Sequence, residues 1–165
     1  MIVYLVGMPG SGKTTVGREL AGRLGVPFVD LDTEIQREAG KPISEIFADE
    51  GEPAFRAIEA QVLTKAAAED PSVVSCGGGV VIEPANRVTL RATGHVVFLD
   101  VPISILRRRV RPAAERPLIH REGDLERLLA EREPMYREFA AHVVDGSGTP
   151  REVAAAIEQQ LRGSA

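Results

Sequence analysis

Gly7-Met8-Pro9-Gly10-Ser11-Gly12-Lys13-Thr14 carries the pattern G-x-x-x-x-G-K-[ST], and few eight-residue runs restrict a fold so tightly. Glycines at these positions let successive backbone N–H groups turn inward around phosphate oxygens. The lysine reaches β- and γ-phosphates, and the hydroxyl after it serves Mg²⁺. Such a loop works only between a strand and a helix. Ile2-Val3-Tyr4-Leu5-Val6 before it is an apolar, partly β-branched run suited to a buried strand. Val16, Leu20 and Leu24 after it recur every fourth residue and define one helix face. The N-terminus of that helix brings its positive end to the bound anion.

Further alternation predicts the rest of the architecture. Val26–Asp30, Val73–Cys76, Val96–Asp100 and His142–Asp145 read as strands. Helical stretches are expected near Lys13–Leu24, Glu52–Glu69, Pro84–Ala92, Ile103–Arg109, Leu125–Phe139 and Arg151–Leu161. Thr149-Pro150 marks the start of the last one, with a capping hydroxyl followed by a proline at the first helical position. Five strands separated by helices imply an α/β three-layer sandwich around a five-stranded parallel sheet. The 165 residues suit a single domain, 1–165. Two segments break the pattern. Residues 31–60 insert helical material anchored by Ile43, Ile46, Phe47 and Phe55, and residues 110–123 carry charge and two prolines with little periodicity, the composition of a lid.

Ligands in such sheets bind outside the carboxyl ends of the strands, and the chemically loaded residues fall there. Asp30 and Asp32 form D-x-D; in extended chain both carboxylates share a face. One can hold Mg²⁺ through water while the other takes a proton from an attacking hydroxyl, or the pair can belong to a helix N-cap. Gly77-Gly78-Gly79 marks either close backbone approach to a ligand or a tight turn. Cys76, the only cysteine, reads as a small buried residue, and a lone cysteine without an internal disulfide fits a reducing cytosol. Net charge of −4 and the lack of an aromatic platform disfavour nucleic acid as the partner of Arg107, Arg108, Arg109, Arg111, Arg116 and Arg121; nucleotide phosphate is the nearer acidic partner. No apolar run approaches a membrane span or a signal peptide, so a cytoplasmic protein is expected.

Taken in order, GMPGSGKTT (7–15), DLDTEI (30–35), GKPISEIFADEGEPAFRAIE (40–59), CGGGVV (76–81), RPLI (116–119) and PMYREFA (134–140) resemble the shikimate kinase family along most of the chain. The resemblance implies a P-loop kinase that moves the ATP γ-phosphoryl group to the 3-hydroxyl of shikimate, with 31–60 as the substrate-binding segment and 110–123 as the lid. It implies Lys13, Asp32 and Arg116 as catalytic residues, and Gly10, Ser11, Gly12, Lys13, Thr14, Thr15, Arg109 and Arg116 around the nucleotide. Shikimate would be held by Asp32, Arg56, Gly78, Gly79 and Arg137, and Mg²⁺ by Thr14 and Asp30. Where some members place a basic residue in the adenine loop, this chain has Asp145-Gly146-Ser147-Gly148-Thr149. A monomer with shikimate and ATP as its partners is expected. A gluconate or nucleoside-monophosphate kinase would share loop and lid, but the 30–59 segment disfavours both, and no N-K-x-D motif supports a GTP switch.

Overall fold

A computed structural model describes residues 1–110, 118–119 and 123–164. The elements run β1 (Ile2–Val6), α1 (Lys13–Leu24), β2 (Phe28–Asp30), α2 (Leu31–Ala39), α3 (Ile43–Glu50), α4 (Glu52–Ala66) and β3 (Ser72–Ser75). They continue as α5 (Pro84–Thr93), β4 (Gly94–Asp100), α6 (Ile103–Arg109), α7 (Asp124–Phe139), β5 (His142–Asp145) and α8 (Pro150–Gly163). All strand pairings are parallel, and the sheet order is β2-β3-β1-β4-β5. The five-stranded parallel sheet expected from the sequence is present.

Strand alternation divides β1 between two cores. Ile2, Tyr4 and Val6 face the layer built from α2, α4 and α7, where Leu31, Ile35, Leu63 and Tyr136 are buried. Val3 and Leu5 face Val16 and Leu20 of α1 and Val153 and Ile157 of α8. Both faces are covered, so the strand reads as a continuous apolar run instead of an alternating one. Close approach has a local requirement at Gly17 of α1, where a Cβ would stand 2.5 Å from the Phe28 ring.

Boundaries differ from the sequence reading where turns consume residues. β2 begins at Phe28 because Val26 N–H bonds back to Ala21 O at 3.0 Å after Gly25 ends α1 in the left-handed region. The 31–60 insert takes in α2, α3 and the first turns of α4, interrupted where Gly40 takes a left-handed cap and Pro42 stands at the N-cap of the next helix. α8 starts as expected: Thr149 Oγ1 accepts from Glu152 N–H at 3.2 Å, and Pro150 occupies the first turn.

Candidate active site

The carboxyl ends of β1, β2 and β3 open into one cavity of about 570 Å³, whose wall also takes in α2, α4, α6 and α7. The loop after β1 forms its floor. Gly10 and Gly12 sit at φ +81° and +90°, and Gly12 caps α1 in a conformation that side chains resist. Lys13 Nζ donates to the carbonyls of Gly7 at 2.7 Å and Met8 at 3.0 Å. Burial lowers its pKa to about 8 against the opposing pull of Asp32, so the ammonium remains charged at neutral pH. Thr15 Oγ1 bonds to Gly12 O at 3.1 Å. Ser11 lies beneath the loop, only 1% exposed, and its side chain does not line the cavity; only its backbone can serve a ligand.

Asp30 and Asp32 both line the cavity, but not as extended chain. Helix α2 starts at Leu31, and Asp30 caps it by accepting Asp32 N–H at 3.0 Å. The expected shared face of a strand is therefore corrected: the second carboxylate is carried by the first helical turn. A helix N-terminus favours negative charge there. Thr14 Oγ1 donates to Asp30 Oδ2 at 3.4 Å, which brings two hard oxygens from two elements together. Mg²⁺ keeps waters and takes one or two carboxylates beside substrate phosphates, so this donor set fits it.

Across the cavity, α4 presents Arg56 and Glu59 on one face. Arg56 is 8% exposed and donates to Glu59 at 3.0 Å and Glu52 at 3.1 Å, with its guanidinium over Phe55. Glu59 is fully buried, and burial raises its pKa to about 6 in spite of Arg56. The triple glycine works by what it lacks. A Cβ on Gly79 would lie 2.4 Å from both terminal nitrogens of Arg56, and one on Gly77 would meet Asp32 Oδ1 at 3.0 Å. Cys76 is buried beside them with its thiol pKa pushed up by burial, which agrees with an inert packing residue.

Arg109 reaches the loop from α6, donating to Gly10 O at 3.3 Å. Arg116, with 111–117 and 120–122 of the expected lid, lies outside the described residues. Arg137 requires a correction. It is held away from the cavity by Asp100 and Glu133, each at 2.7 Å, and lies over the Phe98 ring. Arg132 of the same helix lines the cavity instead, 5% exposed, with a terminal nitrogen 3.2 Å from where a Gly78 Cβ would stand. Helix phase could have found it. Leu125, Leu128, Arg132, Tyr136 and Phe139 form the buried stripe of α7, and Arg137 is a hundred degrees round from Tyr136.

A profile described as shikimate kinase matches residues 9–162. The chain is 45% identical to the shikimate kinase of Aromatoleum aromaticum, covering 98% of this chain and 95% of the relative. It is 47% identical to that of Halorhodospira halophila, covering 98% and 93%. Among solved structures, shikimate kinase from Acinetobacter baumannii in complex with shikimate superimposes with a TM-score of 0.95 at 39% identity, covering 99% of this chain and 93% of the other. The enzyme from Aquifex aeolicus gives a TM-score of 0.90 at 36% identity, covering 99% and 98%.

Proposed function

Since the chain belongs to the shikimate kinase family, we propose that it transfers the γ-phosphoryl group of ATP to the 3-hydroxyl of shikimate. The observation that carries this reading is one cavity shared by a phosphate-binding loop, two aspartates and two buried arginines. Phosphoryl transfer asks for positioning and charge neutralisation more than for covalent chemistry. Backbone N–H groups of residues 10–15 cradle the phosphates, and Lys13 leaves its carbonyl partners to neutralise the β- and γ-oxygens. Thr14 and Asp30 would hold Mg²⁺, which supplies further neutralisation of the phosphates when bound. Asp32 orients the shikimate hydroxyl and accepts its proton. Arg56 and Arg132 take the substrate carboxylate, since planar guanidiniums match it bidentately, and the Gly78 and Gly79 backbone closes that end. Arg109 lies on the nucleotide side, and by family resemblance Arg116 meets the transferred phosphate.

Among the described residues, no helix is long and apolar enough to cross a membrane. A single cytoplasmic domain acting as a monomer, with no nucleic-acid partner, completes the reading. Its test is a coupled ADP-release assay across shikimate, gluconate and nucleoside monophosphates. Turnover is expected to require both Mg²⁺ and shikimate; equal turnover with either rival substrate overturns the assignment.

The two buried arginines of the cavity separate the substrate side from the nucleotide side. Arg56→Lys and Arg132→Lys each keep the charge but lose the fork, and should raise the KM for shikimate by roughly 10-fold or more, leaving the KM for ATP unchanged. Arg137→Lys should leave both constants at wild-type values. Steady-state kinetics with each substrate varied in turn decides this; a raised shikimate KM in the Arg137 variant would contradict the geometry.

A further inference from the structure

Tyr136 has no exposed surface, yet packing alone does not need its hydroxyl. Its ring stacks on Phe98 of β4, with centroids 5.2 Å apart and planes at 27°, a contact that phenylalanine would make equally well. A buried hydroxyl is costly unless it finds a partner. This one donates to the carbonyl of Gly78. Arg132 stands one helical turn earlier on the same buried stripe of the helix, and its charge acts on the phenol. Gly78 is closely confined on both sides: a Cβ there would meet Arg132 Nη1 at 3.2 Å and Pro9 Cδ at 3.3 Å.

Helix α7 is weakly tied by its own backbone at this point. Pro134, between Arg132 and Tyr136, has no N–H to give to Ala130. One backbone bond is thus missing in the turn that carries Arg132 and Tyr136, and side-chain contacts bear more of the hold there. Arg137 pins the outer face of the helix to Asp100 and Phe98 of β4, and Tyr136 pins the inner face to the turn after β3.

We propose that Tyr136 is a positioning residue: its hydroxyl locks the Gly77–Gly79 turn to Arg132, so that the two sides of the substrate pocket, on separate elements, keep one geometry. This rests on the reading of Arg132 and Gly78 as groups that hold shikimate. Tyr136 touches no reacting atom. Its contribution is made through the two groups it joins, and it concerns binding of the carboxylate end more than the transfer step.

The test is Tyr136→Phe, which keeps the ring and removes the hydroxyl, measured beside the wild type and Arg132→Lys. The KM for shikimate should rise by roughly tenfold, with kcat and the KM for ATP unchanged, since only substrate binding loses a support. The double variant should be impaired less than the product of the two single effects, because both changes disturb one network. 4-Aminophenylalanine at position 136, still able to donate to Gly78, should return the KM toward the wild-type value; it also serves where the Phe variant folds poorly. A folded Phe variant with wild-type KM, or independent effects in the double variant, overturns the proposal. Those outcomes leave the kinase reading intact, whereas a wild-type protein that does not turn over shikimate removes the reading itself.

Discussion

Asp32→Asn is expected to reduce kcat by roughly 10²- to 10⁴-fold, the usual loss when a general base is removed, while nucleotide affinity stays near the wild-type value. The amide preserves size and can still accept a hydrogen bond from the substrate hydroxyl, but it cannot take the proton. Its location supports this separation. The carboxylate sits in the first turn of α2 at the cavity wall, beside the position where Gly77 lacks a side chain, while Asp30 does the work of capping the helix. Helix stability should therefore change little, and a thermal melt close to wild type would accompany the kinetic loss. Near-native kcat in the variant would reduce Asp32 to an ordinary first-turn acid.

Lys13→Met should lower kcat by roughly 10²- to 10³-fold, because a preorganised positive charge next to developing phosphate charge is lost. Methionine keeps much of the length and apolar stem, so the loop geometry survives. Burial gives this lysine a second signature. With its pKa lowered to about 8, it is charged below that value and becomes neutral as pH rises through it. In the wild type, kcat/KM for ATP should therefore fall as pH rises through about 8, a limb that reports the free enzyme. Direct nucleotide binding to the Met variant, followed over the same range by calorimetry, should lack that limb. Persistence of the same limb in the variant would assign it to another group.

The elements that the sequence located best are those whose pattern and punctuation coincide. β1 and β5 are buried or paired runs bounded by turn residues, and α1 begins at the lysine that the phosphate loop itself prescribes. The 31–60 insert was recognisable as helical, yet its division into α2, α3 and α4 depends on Gly40, Pro42 and Gly51, whose signals were present but easily read as interruptions. Most site residues come together because they follow strands, and strand ends in a parallel sheet converge. Arg137 failed for a different reason: nearness to the P-x-Y motif says nothing about direction around a helix. Arg132 and Arg137 are five positions apart, which is enough to turn one to the cavity and the other to Asp100. The steric need for Gly79 was also invisible, since Arg56 arrives from an element far away in the chain.

The position of β1 in the middle of the sheet has a bearing on how the protein is made. Ile2 pairs with Ser72 on one side and Gly94 on the other, and Val6 pairs with Phe98. The strand that anchors the phosphate loop is thus synthesised before either neighbour exists. A nascent chain still short of Asp100 lacks β4 and has no framework to hold the loop between strand and helix. Such long-range pairing is slow to close and leaves apolar strands uncovered while it waits. The frame around the phosphate loop is therefore completed only after the central strands have met.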